Sequence, residues 1–371
     1  MSRFDRQQRI PEWRQDRLMT AVVVIVGVGA LGNEVARILG QSGVGTLILC
    51  DPDRVEESNL SRTVLFRPLD VGRLKVEAAA RTLGELAPGI RVVVRPTRSI
   101  HGIGLGELRD ASLVVSCLDS RTARLQLAGR CQLVRAPLLD GGTHPWGGEV
   151  RPYFDPEGPC YGCGLGPTGR SESDAPWSCL DPVPQQAVPA AAPSSALVGT
   201  WMAMVAVRYV MGLDQPGGTL KIDGVRGTSS IVKQTRDPTC PLHEPIGRVD
   251  RISVTNRDRV RDLRAELTRG EVMLAWEPVQ RALSCLGCGF EEVRWGRPGS
   301  SPCPRCDRPL LPRTTLELDQ APENVTLEDL GVAPREILAV RGGDGMRWVE
   351  LAGSTEAGAT HEPPDNEELQ E

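Results

Sequence analysis

The sequence predicts an α/β protein, with a mostly parallel sheet and flanking helices over the first two-thirds and a small cysteine-rich domain behind it. Three observations lead there. Apolar, strand-like runs alternate with helical stretches from residue 21 to about residue 140, and strand–helix–strand alternation implies parallel strands joined by right-handed crossovers. The first run enters Gly27-x-Gly29-x-x-Gly32, the usual start of a nucleotide-binding βα unit. Further on, Cys285-x-x-Cys288 and Cys303-x-x-Cys306 stand fourteen residues apart, a spacing at which two knuckles close on one zinc ion.

Taken in order, "AVVVIV" (21–26) is a fully apolar strand, and the glycines after it open a helix over 33–39. "TLILCD" is a second strand ending on Asp51. Residues 75–86 repeat apolar side chains at helical spacing. "IRVVVRP" is a third strand and "ASLVVSCLD" a fourth, ending on Asp119. Residues 121–130 read as a helix and "APLLDGG" as a short strand. From 164 to 193 the chain is rich in Pro, Gly, Ser and Ala, a long crossover loop. A helical run over 194–211 stops at Gly212, a residue suited to the C-cap. "TLKID" and "SSIVKQ" then complete an expected first domain of residues 1–248.

Residues 249–318 are expected to form a zinc-ribbon region that begins with an amphipathic helix over 258–267. Residues 319–352 make a small β-rich segment, with a hairpin signal in "EILAVRGGDGMRWVEL". Residues 353–371 are acidic and contain Pro, Ala and Gly, the composition of a disordered tail.

Composition narrows the function classes. The 371 residues are 40% hydrophobic and 25% charged, with a formal net charge of −5, which gives no reason to expect polyanion binding. The start, "MSRFDRQQRIPEW", is charged and lacks the apolar core of a signal peptide. The apolar run 196–207 is interrupted by Gly199 and Thr200 and falls short of the roughly 20 residues a membrane span needs. Most of the eleven cysteines fall into metal-knuckle pairs, which fits a reducing compartment. A cytoplasmic location without membrane contact is expected.

The glycine turn has a physical logic. Gly27 permits the tight turn, Gly29 lets backbone approach a phosphate, and Gly32 lets the helix pack on the sheet. The helix N-terminus presents free N–H groups to an anion. Asp51, nineteen residues past Gly32 at a strand end, is placed to accept ribose hydroxyls. All of this holds equally for a dinucleotide and for ATP.

Four segments separate the two. "RFDRQQRI", "DPDRVEESNLSRTVLF", "GRLKVEAA" and "SCLDSRTARLQL", in this order, resemble the ThiF/MoeB family, the bacterial relatives of ubiquitin-activating enzymes. The resemblance spans roughly residues 3–248 and implies a Rossmann-like fold. It further implies that Arg6 reaches the nucleotide phosphates, often from a partner subunit, so that a homodimer is expected. Asn59 and Arg62 match the family's S-N-L-x-R segment, Lys75 its phosphate-binding lysine, Asp119 its Mg²⁺-holding aspartate and Asp51 its ribose-binding acid. One departure is Asp119-Ser120 where the family usually has Asp-Asn; Arg124 is retained.

These residue types suit adenylation. A carboxylate attacking an α-phosphate passes through a crowded anionic transition state, which Arg6, Arg62, Lys75 and Mg²⁺ on Asp119 would neutralise. Hydride transfer needs no such cations. The attacking carboxylate is already ionised at neutral pH, so no general base is required.

The resemblance also implies a structural zinc site closed by Cys160-x-x-Cys163 and Cys240-Pro-Leu-His243, three thiolates and an imidazole. Cys285, Cys288, Cys303 and Cys306 make the second. Phe290, Trp295, Arg294 and Arg297 are thin grounds for nucleic-acid binding by the ribbon, and a structural or protein-docking role is preferred. Cys179, in the long loop, stands where many family members carry a cysteine that in some forms a thioester or persulfide. Cys50, Cys117 and Cys131 read as core residues, and His101 and His144 show no partner.

The function this implies is ATP/Mg²⁺-dependent adenylation of the C-terminal glycine of a ubiquitin-like or sulfur-carrier protein ending in Gly-Gly. The acyl group would then pass to Cys179, a conjugating enzyme or a sulfur donor such as a sulfurtransferase. The alternatives are adenylation of a peptide, a catalytically inactive nucleotide-binding scaffold acting through its ribbon, and an NAD-dependent oxidoreductase.

Overall fold

A computed structural model describes residues 2–171, 191–215, 217–343 and 345–353. Cys179 lies outside the described residues. The structure divides into two compact units: the described residues of Met1–Ser99 and Leu108–Pro245 form the first, and Ile100–Glu107 with the described residues of Ile246–Glu356 form the second.

In the first unit, α1 (Gln15–Thr20) leads into β1 (Val22–Val26), α2 (Ala30–Ser42), β2 (Thr46–Cys50), α3 (Lys75–Leu86) and β3 (Arg91–Arg95). Two short helices, α4 (Ser99–Gly102) and α5 (Leu105–Asp110), precede β4 (Leu113–Ser116), α6 (Arg121–Leu133), β5 (Leu138–His144) and β6 (Gly147–Tyr153). After α7 (Gly166–Ser171) come α8 (Ala192–Val210), β7 (Thr219–Asp223) and β8 (Thr228–Val232). The sheet order is β3-β2-β1-β4-β5-β6-β7-β8. β1 to β5 pair in parallel, and β6, β7 and β8 continue the sheet antiparallel. The chain winds outward from β1 to β3 on one side and from β4 to β5 on the other, so the gap above β1 and β4 is a topological switch point.

Local chemistry sets the elements. β1, "VVVIV", is β-branched throughout and buried on nearly every residue, as a central parallel strand requires. Gly43 ends α2 at φ 88°, the left-handed conformation glycine adopts without strain. Ser120 caps α6 by accepting the Ala123 N–H at 3.2 Å.

The helical run expected over 194–211 is α8, which passes through Gly199 and Thr200 and extends beyond the apolar run 196–207. A Cβ on Gly199 would stand 2.6 Å from Glu34 Cβ, so glycine lets α8 lie close on α2. Ala192–Met211 is long and apolar enough to cross a membrane by length and composition alone. Yet Val198, Met202, Val205 and Ala206 sit in the first unit's hydrophobic core.

In the second unit, β9 (Val249–Arg251), β10 (Val272–Ser284), β11 (Glu291–Gly296), β12 (Leu311–Glu317), β13 (Ile337–Gly342) and β14 (Gly345–Glu350) form a six-stranded sheet, with α9 (Val260–Ala265) between β9 and β10 in the chain. The order is β11-β10-β13-β14-β9, with β12 also on β10, and β9 pairs with β14 in parallel. The β13–β14 hairpin is where "EILAVRGGDGMRWVEL" places it. α9 is shorter than the 258–267 pattern. Asp258 is drawn out of it, accepting the Thr255 N–H and hydroxyl at 2.7 and 2.8 Å. Its core gathers Val260, Leu263, Met273, Leu338, Val340 and Val349.

Ile100–Glu107 belongs to this unit although it lies between β3 and β4. Leu105 N donates to Glu336 Oε1 at 3.2 Å and Gly106 N to Arg335 O at 3.0 Å. His101, without an evident partner in the sequence, donates Nδ1–H to Gly331 O at 2.7 Å and sets Nε2 3.4 Å from Glu277.

Candidate functional site: a cleft at the switch point

A cleft of about 440 Å³ opens where β1, β2 and β4 end. Gly27, Gly29, Asp51, Asn59, Arg62, Lys75 and Asp119 all line it. Gly27 has φ +89°, and a Cβ there would stand 2.6 Å from Cys117 O. Gly32 sits behind the turn, where a Cβ would fall 2.0 Å from Gly27 O. Gly29, at the N-terminus of α2, would meet nothing within 4 Å. Glycine is therefore a packing requirement at 27 and 32, and at 29 it keeps open the space a phosphate would take. We expect Gly32→Ala to lower the thermal midpoint by about 5 °C or more. Gly29→Ala is expected to leave the midpoint nearly unchanged and to weaken ATP binding alone, with calorimetric scanning and titration as the readouts.

Asp51 is 6% exposed. It accepts the N–H groups of Val28 at 2.7 Å and Asp53 at 2.8 Å, one on each oxygen. Burial pushes its carboxyl above the usual range against the pull of Lys75 and these two donors. Lys75 Nζ lies 2.8 Å from Asp53 Oδ2. Asn59 is buried and holds the loop before it by accepting the Glu56 N–H at 3.1 Å, while Arg62 donates Nη1–H to Ser58 O at 2.8 Å. No hydrogen bond or ion pair joins the Asp119 carboxylate to another described residue, and Asp119 is exposed. Arg6 is exposed on the 3₁₀ turn at Gln7–Arg9 and does not line the cleft of its own chain.

Several residues behind the cleft and along it carried no signal in the sequence. Asn33, fully buried, donates to Val28 O and Gly29 O at 2.8 and 3.0 Å and accepts the Leu65 N–H at 2.9 Å, tying the glycine turn to the next loop. Asp53, Arg98 and Thr143 line the wall. Cys50 and Cys131 are buried as expected and Cys117 is half-buried; Cys50 and Cys117 both line the cleft.

The ThiF family model matches residues 4–242. The chain belongs to the ThiF family. Among its relatives, a sulfur carrier protein adenylyltransferase of Thermus thermophilus is 33% identical over 258 residues, covering 65% of this chain and 90% of that protein. A sulfur carrier protein ThiS adenylyltransferase of Escherichia coli is 28% identical over 230 residues, 62% of this chain and 88% of that one. Escherichia coli MccB shares the fold with a TM-score of 0.54 at 23% identity, over 67% of this chain and 74% of that chain. The ThiF match thus covers the cleft and ends before the cysteine ribbon.

Two sulfur clusters complete this ThiF-family chain. Cys160 Sγ lies 3.8 Å from both Cys163 Sγ and Cys240 Sγ, and Cys163 Sγ 3.1 Å from His243 Nε2. A tetrahedron with Zn–S bonds of about 2.3 Å has edges of about 3.8 Å, so the set fits zinc. Burial pushes the Cys160 thiol up to about 12, so its thiolate needs a cation beside it. In the ribbon, the four sulfurs of Cys285, Cys288, Cys303 and Cys306 lie within 4.8 Å of one another. Gly287 N and Arg305 N each point at a knuckle sulfur at 3.4 Å. Backbone donors, that of Cys288 first, bring the Cys285 thiol down to about 6, whereas hydrogen bonding among the thiols, Cys285 foremost, pushes Cys306 up to about 12, so the four become thiolates together only beside a cation.

Proposed function

We propose that this chain catalyses ATP-dependent adenylation of the C-terminal carboxylate of a ubiquitin-like sulfur carrier ending in Gly-Gly. The observation that carries this is the meeting, in one cleft, of a glycine turn at a helix N-terminus, the cations Arg62 and Lys75, and the Asp119 carboxylate, which no other described residue engages. Relatives that cover most of their own length with this chain are adenylyltransferases of sulfur carriers.

In the reaction a carboxylate oxygen bonds to the α-phosphorus of ATP as the bond to the β-phosphate oxygen breaks, and pyrophosphate departs with the electron pair. Asp51 would accept the ribose hydroxyls, the N-terminus of α2 the phosphates, and Arg62 and Lys75 the charge that grows on the departing group. Mg²⁺, with Asp119 and water as oxygen ligands, would supply further charge neutralisation. Arg6 has no place in the cleft of its own chain, so we assign it to the neighbouring cleft of a homodimer. Zinc at the two sulfur clusters is structural, since four protein ligands leave no open position. The Cys179 thiolate would take the acyl group onward as a thioester, breaking the acyl–oxygen bond and releasing AMP, or a conjugating enzyme or sulfurtransferase would receive it with the same loss of AMP.

Pyrophosphate–ATP exchange tests the reading. With a ubiquitin-like carrier ending in Gly-Gly, radiolabelled pyrophosphate is expected to appear in ATP, and a carrier lacking the last glycine should give none. Absence of exchange with the intact carrier would sink the proposal.

A further inference from the structure

The floor of the cleft contains a charge network that the proposed reaction has not yet used. Asp140, on β5, is 1% exposed. Its carboxylate accepts from Ser116 Oγ at 2.7 Å, Arg124 Nη1 at 3.0 Å and Arg151 Nη1 at 2.9 Å. Arg151 turns away to Glu149, which Lys221 also meets at 3.2 Å, and it does not line the cleft. Arg124 does line it. Its Nη2 donates to Leu118 O, the residue before Asp119, and its guanidinium lies so close to Gly142 that a Cβ there would be 3.1 Å from Nη1.

Two anchored nitrogens fix the plane of a guanidinium and still leave it three N–H donors. Such a rigid fork matches a carboxylate. An arginine without an anchor in this cleft would turn to the phosphates, the most highly charged anions present. Asp140 holds it back from them. Adenylation brings a second anion, the substrate carboxylate, against the phosphate already attended by Arg62 and Lys75, and that second anion needs a cation of its own.

We infer that Asp140 is a positioning residue that locks Arg124 as the ligand of the substrate carboxylate and, after the reaction, of the acyl carbonyl oxygen. This rests on adenylation being the reaction. The sequence offers no local sign of it, because residues 116, 124, 140 and 151 meet only in the fold.

Calorimetric titration of the full chain tests it with two probes, AMP and 5′-O-(N-glycylsulfamoyl)adenosine, a stable mimic of glycyl adenylate. Asp140→Asn is expected to weaken binding of the mimic about 10- to 100-fold and to leave AMP within about twofold. Arg124→Met, which keeps the Asp140–Arg151 pair, should show the same selective loss and decides the matter if Asp140→Asn does not fold. Arg124→Lys should not restore binding, because a point charge lacks the fixed fork. Equal losses for both probes, or none, in a folded variant would overturn the inference. Wild-type protein that binds neither probe would instead overturn the adenylation reading.

Discussion

Asp119→Ala is expected to keep the fold and lose the chemistry. The side chain is exposed and makes no hydrogen bond or ion pair with a described residue, so its removal strips nothing from the core. The rate of pyrophosphate–ATP exchange should fall by about two to three orders of magnitude, the usual loss when one charge-stabilising group leaves a preorganised site. Lys75→Met should approach the same loss by another route. Lys75 is only 13% exposed and is held against Asp53, so its ammonium is already positioned before nucleotide arrives. A scaffold that binds nucleotide without catalysis would show no exchange even in the unaltered chain, and exchange undiminished in Asp119→Ala would remove the mechanism. Thermal midpoints within about 2 °C of wild type would confirm that each variant tests chemistry.

Metal removal is expected to act on the fold and not on the cleft. The hydrophobic cluster at the ribbon's tip gathers just Leu283, Leu310, Cys285 and Cys303, with Phe290 against them, too small a core to hold a module by itself. Structural zinc contributes roughly 10–16 kcal/mol in isolated finger peptides near neutral pH. Native mass spectrometry should therefore find two zinc ions per chain, and Cys303→Ser should retain one. In that variant the amides of β11 and β12 are expected to exchange with solvent hydrogen far faster, while those of β1 and β4 stay protected. Acid should release the metal, because each thiolate must take up a proton as the ion leaves. A metal-free chain with unaltered protection in β11 and β12 would show that the sulfur cluster does not hold the ribbon.

What the sequence showed plainly was what depends on neighbours along the chain. β1, β2 and β4 are local apolar runs, α3 begins and ends at the residues its periodicity marks, and Gly32 meets a local steric requirement against Gly27, although Gly27 itself is demanded by the remote Cys117. The cleft's cations were readable only as a set, since Arg62 or Lys75 alone could be any surface charge. Other features were hidden because their partners are remote in sequence. Asp140 draws in Ser116, Arg124 and Arg151 from three different elements. The reason for a glycine at 199, inside an expected helix, was hidden because it depends on Glu34, far earlier in the chain. Asp258 looked helical until its side chain was seen to bond Thr255.

The excursion of Ile100–Glu107 bears on how such a protein could have been assembled. Ile103 and Leu105 are 1% and 0% exposed, and both belong to a unit whose remaining residues begin at position 246. A gene break near that position would leave the upstream portion carrying an orphaned apolar loop and the downstream portion lacking part of its interior. Neither half is a transplantable cassette. The connection between β3 and β4 is thus spent on the interior of the second unit, and a fragment ending before position 246 is expected to expose it.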